Sequence, residues 1–313
     1  MNACLDPFPL RGRCLGISIS AGDEGIPRGE DADAFVNRLS FETCSRYLFL
    51  GASIALGHNW REEGIMDHLA LRASEYRYSF GSPEREGRRA PIINRLAWPD
   101  KPPEFDEDRA LWIRDFVEAR QVPPPGIPTG QLSPGSELGQ FARIRALTAM
   151  RRELVTASDF RICLGGAAGV PLRRLPGVLE EALLTWEAGK PLYLSGVFGG
   201  MTKALCDVIL RRRLASGTLK AFETPPEATA LFAKFKEAYP CPEAEGPSLP
   251  GGQFCALAQV ECITPERLAD QAGLSLDDYI TLMTTPEVGR ALQLVSLGIV
   301  NRSQGAKLPP SGA

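Results

Sequence analysis

The sequence predicts an α/β protein, a Rossmann-like and mostly parallel sheet with helices on both faces, followed by a C-terminal helical appendage. Three observations predict this fold. Short apolar runs alternate with stretches of helical periodicity from about residue 13 to 213. Glycines follow the apolar runs, where parallel strands pass into helices. From about residue 214 onward the chain is Pro-rich and then helical,.

The first half of the alternation contains three strands and two helices. Strands are predicted from "RCLGISIS" (13–20), "GASIALG" (51–57) and "APIINRLAW" (90–98), and helices from the periodicity of 31–50 and of "GIMDHLALRASEY" (64–76),. Residues 99–135 are Pro-rich around one short amphipathic stretch, "RALWIRDFVEA". We interpret them as an insertion, because strand and helix alternation resumes after them.

The second half predicts helices over 136–157, 176–188 and 200–213, with strands in "FRICLGG" and "KPLYLSG" between them. We therefore predict a nucleotide-binding domain over 1–213 and a Pro-rich connection with a helical region over 214–313. Thr264-Pro265 and Thr285-Pro286 are typical helix starts in that last region,.

Composition excludes several classes of function. The net charge is −3, so the strong positive charge of duplex nucleic-acid binders is missing,. Eight cysteines without a C-x-x-C pair, together with two histidines, support neither a zinc site nor a redox motif,. No apolar run approaches the length of a membrane span. We expect a cytoplasmic protein with buried free thiols, no metal and no membrane association.

Four glycine-containing loops are predicted at the carboxyl ends of strands, where open parallel sheets bind ligands. They are "SAGDEG", "GHNWREEG", "GGAAG" and "GVFGG". Bare backbone and helix amino ends suit a phosphate, although tight turns alone also explain single glycines. None of the loops is a dinucleotide or Walker motif, so no cofactor is expected. The predicted ligand contacts are Ser20, Gly57, His58, Gly64, Gly165, Gly166, Gly177, Gly199 and Gly200.

Two segments resemble a known superfamily. "LGHNWREEGIMD" (56–67) resembles the glycine-rich loop of the "lonely guy" phosphoribohydrolases. "AMRRELVTASDFRICLGG" and "PGVLEEALL" resemble their second signature, an arginine-bearing helix, a glycine-ended strand and a helix that starts with two glutamates. The stretch 13–213 is similar to the SLOG superfamily, especially to members in prokaryotic anti-phage systems and in TRPM channels. Two departures are His58-Asn59 and the inserted "AAGVPLRRL".

The resemblance implies roles for three charged residues. Glu180 and Glu181 correspond to a catalytic or ribose-binding glutamate, and since neighbouring helical positions diverge by about 100°, we expect at most one of them to face the ligand. Arg151 corresponds to an arginine that clamps phosphate. Other arginines compete for that role, namely Arg143, Arg145, Arg152, Arg173 and Arg174. First-turn glutamates also stabilise a helix without any other function.

Three functions remain open at this point. The first is a sensor that binds an ADP-ribose-like or cyclic nucleotide signal in a prokaryotic defence system and acts on a separate effector protein. The second is an enzyme that cleaves or forms the N-glycosidic bond of a nucleotide. A structural interaction module is the third, and it leaves the glycine loops unexplained. The resemblance also implies a homodimer.

Overall fold

The structure is a computed structural model that describes residues 8–20, 31–57, 60, 65–80, 90–102, 113–168, 173–214, 218–241 and 256–303. One sheet of six parallel strands forms its centre. The strands are β1 (Cys14–Ser20), β2 (Ser53–Leu56), β3 (Ile92–Ala97), β4 (Val117–Val122), β5 (Phe160–Gly165) and β6 (Leu192–Ser195).

Helices cover the sheet, so the predicted Rossmann-like α/β class is confirmed. They are α1 (Ala32–Phe49), α2 (Ile65–Phe80), α3 (Glu137–Ala157), α4 (Gly177–Glu187), α5 (Gly200–Ile209), α6 (Pro226–Phe235), α7 (Leu257–Glu261), α8 (Pro265–Ala272), α9 (Leu276–Thr284) and α10 (Val288–Ser303). Two 3₁₀ turns lie at Gly196–Phe198 and Thr218–Phe222.

The strand order is β4-β3-β2-β1-β5-β6, and every neighbouring pair is parallel. The chain builds outward from β1 to β4 and then returns to place β5 on the other side of β1. The strand order therefore reverses between β1 and β5. In open parallel sheets such a reversal creates the crevice in which ligands bind.

Alternating side chains on β1 face two different layers. Leu15 and Ile17 pack in the main apolar cluster, whereas Cys14 packs in a second cluster that contains Leu154 of α3. Because side chains alternate along a strand, Gly16 and Ser18 share the α3 side with Cys14. This placement determines which residues of β1 and β5 meet α3 and α4.

The segment interpreted from sequence as an insertion contributes an edge strand. Residues of β4 pair in parallel with β3, from Ile92 opposite Val117 to Ala97 opposite Val122. Only the two ends of β4 are buried, and the charged residues between them are exposed or half-buried. Charges of this kind protect an open sheet edge from pairing with another chain.

The C-terminal helices pack into the main apolar cluster beside β6. The Tyr193 hydroxyl donates to the Ala272 carbonyl at 2.8 Å, and the Tyr279 hydroxyl donates to the Leu192 carbonyl at 2.6 Å. Both bonds are buried, where a hydroxyl without a partner would cost free energy. Two tyrosines therefore fix α8 and α9 against the edge of the sheet.

Candidate functional site

The strands β1 and β5 end side by side at the point where the strand order reverses. Ser20 ends β1 and lies opposite Gly165, the last residue of β5. The Gly166 amide donates to the Ser20 carbonyl at 3.0 Å, and the Ala167 amide donates to the Ser20 hydroxyl at 3.3 Å. Three of the predicted contact residues, Ser20, Gly165 and Gly166, thus form one surface at the carboxyl edge.

Local backbone geometry requires glycine at the end of β5. Gly165 and Gly166 have φ values of 62° and 102°, which residues with a β-carbon rarely adopt. A β-carbon on Gly166 would lie 2.9 Å from Cγ2 of Val178 and 3.2 Å from Cβ of Met201. The β5 loop therefore passes between the starts of α4 and α5 with no room for a side chain.

The start of α5 is bonded to the same loop. The Met201 amide donates to the Gly166 carbonyl at 2.7 Å, and the Thr202 hydroxyl donates to the Gly165 carbonyl at 2.8 Å. These bonds use two carbonyls that would otherwise lie unpaired near the edge. The β5 loop and the start of α5 therefore form one connected unit.

Gly199 and Gly200 form the turn into α5. Their φ values are 64° and 59°, and the Gly199 amide donates to the Gly196 carbonyl at 3.0 Å, which closes the 3₁₀ turn after β6. The bonds from Met201 and the residue after it place this turn next to the β5 loop. The structure therefore brings Gly199 and Gly200 to the same edge as Gly165.

Two arginines flank the amino end of α4. Gly177 is the first residue of α4, and Pro176 before it provides no side-chain cap. A β-carbon on Gly177 would lie 3.0 Å from Nη2 of Arg151 and 3.6 Å from Nη1 of Arg173. The first amides of a helix and its dipole already favour an anion. Two guanidinium groups add positive charge at the same point.

The charge of Arg173 is not balanced by a direct partner. Burial lowers the pKa of its guanidinium, the positive charges of Arg151 and Arg143 lower it further, and Glu180 and Glu181 oppose this effect. Among the described residues, no hydrogen bond or ion pair is formed by Arg173. A half-buried cation without a close carboxylate is favourable for a bound anion, which would offset its desolvation.

Glu180 lies fully buried beneath this helix start. Its Oε1 accepts from the Thr148 hydroxyl at 2.6 Å, and its Oε2 accepts from Nη1 of Arg151. The pair joins α3 to α4 in an environment without solvent, where each charge needs its partner. Both oxygens of Glu180 therefore already have partners within the protein.

Glu181 is engaged by the sheet. Its Oε2 accepts from Nη1 of Arg161 at 2.6 Å and from the Ser18 hydroxyl, while its Oε1 lies 3.7 Å from Nε of Arg151. The Glu181 side chain is 13% exposed. That at most one of the two glutamates faces the ligand stays a prediction. Both carboxylates join a single network of hydrogen bonds and ion pairs between the sheet, α3 and α4.

Arg161 is the charged member of this network that the sequence interpretation missed. It lies on β5, is completely buried, and crosses over Gly16, where a β-carbon would be 2.9 Å from its Cζ. Its Nη1 also donates to the Ser18 hydroxyl at 2.8 Å. The signal was present in "FRICLGG", because a charged residue in a buried parallel strand requires a buried counter-charge.

The loop after β2 is described only in part. Gly57 lies close to α3, since a β-carbon there would be 3.0 Å from Cε of Met150 and 3.2 Å from Cδ1 of Leu154. Close packing therefore provides one reason for this glycine. His58 and Gly64 lie outside the described residues.

Competing arginines on α3 and before α4 have partners elsewhere. Arg143 lies 3.9 Å from Asp100 in an ion pair at the surface. Arg145 stacks over Phe141 at 4.6 Å, and Arg174 lies 5.8 Å from the ring centre of Phe232. Arg151 and Arg173 are thus the arginines that the structure places at the start of α4.

The described ranges contain neither a metal-type cluster of side chains nor a membrane-spanning helix. No group of three or more His, Cys, Asp or Glu residues there has the arrangement of a metal site. No helix in the same ranges is both long and apolar enough to cross a membrane.

The sheet order and the glycine-rich strand ends define a Rossmann-like α/β protein, and its topological switch point is where ligands bind in open parallel sheets. The family model described as SLOG cluster2 matches residues 9–247. The chain therefore belongs to this SLOG family, as the sequence resemblance indicated. A search of curated proteins finds no match. Family membership indicates a function related to nucleotides, and residues 248–313 lie beyond the matched region.

Proposed function

We propose that this protein is a sensor that binds a phosphate-bearing nucleotide derivative, ADP-ribose-like or cyclic, and signals to a separate effector protein in a prokaryotic defence system. One observation carries the proposal. The start of α4 combines an uncapped helix end with Arg151 and with Arg173, which has no ion-pair partner among the described residues. A phosphate there would be bound by amides, dipole and two cations together.

The ligand would lie along the carboxyl edge. From the start of α4 it would extend over the bare backbone of Gly165 and Gly166 toward Gly199, because these glycines leave the edge without side chains. Ser20 supplies a hydroxyl at the end of β1. This arrangement suits the sugar and phosphate portions of a nucleotide, which are recognised largely through polar groups.

The engagement of both glutamates favours binding over catalysis. A general acid, base or nucleophile must present an oxygen to the substrate. The carboxylate of Glu180 is bonded to Thr148 and Arg151, and that of Glu181 to Ser18 and Arg161. Neither carboxylate is available without the loss of a buried partner.

An N-glycosidic hydrolase is the second candidate, and one observation supports it. Glu181 keeps 13% exposure of its side chain and lies beside Arg151. Glu181 is thus the one of the two glutamates whose side chain retains exposure, since that of Glu180 is fully buried. In this alternative it would stabilise an oxocarbenium-like centre during cleavage of the bond between base and ribose. Glu181→Gln should then abolish turnover while binding survives.

A nucleotide panel separates the two functions. The protein is incubated with ADP-ribose, NAD, AMP and cyclic AMP, and both the melting temperature and the release of free base are measured. A binder shows a raised melting temperature without free base, since a ligand that binds only the folded state stabilises it. Release of free base that is lost in Glu181→Gln would establish the hydrolase instead.

Arg173→Ala tests the phosphate site directly. The variant should weaken AMP binding ten- to hundredfold, because a hydrogen bond to a charged group contributes roughly 1.5–3 kcal/mol. Adenosine, which lacks the phosphate, should bind as before in calorimetry. The matched control is Arg46→Ala on the exposed end of α1. Equal losses for AMP and adenosine would show that Arg173 does not contact the phosphate.

A further inference from the structure

The C-terminal helices touch the glycine loop that follows β6. Gly196 begins the 3₁₀ turn after β6, and a β-carbon on it would lie 2.7 Å from the carbonyl oxygen of Met283. Met283 is the last residue but one of α9 and is buried. Gly196 has no unusual φ, so this close approach of α9 is what excludes a side chain.

Backbone hydrogen bonds connect the same turn to the carboxyl edge of the sheet, where the ligand is proposed to bind. The Gly199 amide closes the turn onto the Gly196 carbonyl at 3.0 Å. Two residues further on, the Met201 amide reaches the Gly166 carbonyl at 2.7 Å, and the Gly166 amide in turn reaches Ser20. A continuous set of short backbone contacts therefore runs from the end of β1 to the end of α9.

Helix α9 is also fixed to the sheet away from this turn. The Tyr279 hydroxyl bonds to the Leu192 carbonyl at the start of β6. The end of α9 at Met283 therefore packs directly against the turn at Gly196, and closely packed elements rearrange as units. Beyond α9, α10 reaches α1, where Ser296 lies 3.4 Å from the Tyr47 hydroxyl.

We infer that α9 and α10 form the output element of the sensor, and that the packing of α9 against Gly196 is coupled to the order of the glycine-containing loops that follow β5 and β6. The inference rests on the proposed function for the identity of the signal. These helices lie beyond the residues matched by the family model. A ligand that orders these loops would stabilise the packing of α9 against Gly196. Loss of that packing would in turn lower the affinity for the ligand, because such coupling is reciprocal.

The first test needs no ligand. Hydrogen exchange is measured by mass spectrometry for the wild type, Gly196→Ala and Gly289→Ala. Gly289 lies in α10 with open space around its α-carbon, so it is a matched glycine control. Gly196→Ala should accelerate exchange both at the end of α9 and in the β5 loop around Gly166, while Gly289→Ala leaves both unchanged. Acceleration confined to 195–200 would overturn the coupling.

A second variant approaches the contact from the other side. Met283→Ala removes packing at the end of α9 without adding bulk to the turn. It should accelerate exchange around Gly166 as Gly196→Ala does, although no atom of the loop is altered. If Met283→Ala loosens α9 alone, the helix and the loop are independent and the inference fails. Far-UV circular dichroism verifies that each variant remains folded.

The second test uses ADP-ribose in calorimetry. Gly196→Ala should bind it about fivefold or more weakly, the lower range of allosteric coupling, and Gly289→Ala should bind it as the wild type does. Unchanged affinity in Gly196→Ala would contradict the coupling. If the wild type itself does not bind ADP-ribose, that ligand assignment fails, while the exchange experiment still decides the coupling.

Discussion

At the scale of single residues, the buried pair of Arg151 and Glu180 is the feature with the largest expected effect on stability. Glu180→Gln should lower the free energy of unfolding by about 3–5 kcal/mol, because it leaves the buried Arg151 guanidinium without its counter-charge. Both side chains are almost fully buried. Urea unfolding followed by circular dichroism measures this difference.

A double substitution tests whether the loss of stability comes from the unpaired charge of Arg151. Arg151→Met combined with Glu180→Leu removes both charges, so the double variant should lose less stability than Glu180→Gln alone. Glu137→Gln at the exposed start of α3 serves as a control carboxylate. If the single and double variants were equally destabilised, the cost would come from altered packing and not from an unpaired charge.

The sequence indicated candidate residues of the site but not their partners. Glu180, Glu181 and Arg151 were proposed from their resemblance to a family signature, because helix starts and glycine-ended strands are encoded over a few positions. Glu181 accepts from Ser18, which lies 163 residues earlier in the chain, and from Arg161 of β5. That pairing follows from the register of β1 against β5, which no local pattern specifies.

At the scale of elements, the carboxyl end of α3 is stabilised by a lysine from a distant turn. Nζ of Lys190 donates to the carbonyls of Val155 at 2.6 Å, Thr156 at 3.1 Å and Ser158 at 2.6 Å. Unpaired carbonyls and the negative end of the dipole make this a favourable position for a cation. The lysine thus connects α3 to the start of β6.

Lys190→Met should lower the free energy of unfolding by roughly 1.5–3 kcal/mol, the range for hydrogen bonds to a charged group. Methionine retains the length of the apolar stem, so the loss reports on the ammonium group. Lys101→Met at an exposed position provides the control in the same urea titration. A loss of similar size in the control would assign the effect to general surface charge.

Strand β4 shows where element prediction from sequence reaches its limit. The central strands were found because parallel strands buried on both faces produce continuous apolar runs. In β4 the interior residues Glu118 to Gln121 are polar or half-exposed, and prolines precede and follow it. An edge strand of this kind resembles a loop in sequence, and its pairing with β3 becomes visible only in the assembled sheet.

At the scale of the whole molecule, the main apolar cluster extends from β1 to the C-terminal helices. Several ionisable side chains lie inside it. Burial raises the pKa of the Cys163 thiol from its ordinary 9.0 to about 12, and it also raises the pKa of the Cys44 and Cys206 thiols. The pKa of the Tyr47 hydroxyl rises from 10.0 to about 12 for the same reason.

These shifts predict a loss of stability in alkaline solution. In the unfolded chain a thiol releases its proton near pH 9, whereas folded Cys163 retains it to about pH 12. The stability that comes from the protonated thiol is therefore complete below pH 9 and is lost as the pH rises toward 12. At pH 10 each such thiol should lower the free energy of unfolding by roughly 1.4 kcal/mol.

Urea titrations at pH 8 and pH 10 measure the combined loss. In Cys163→Ala the free energy of unfolding that is lost between pH 8 and pH 10 should be smaller by the contribution of one thiol. The control is Cys262→Ala at an exposed position, which should retain the wild-type pH dependence. An unchanged pH dependence in Cys163→Ala would show that this thiol is not protected by the core.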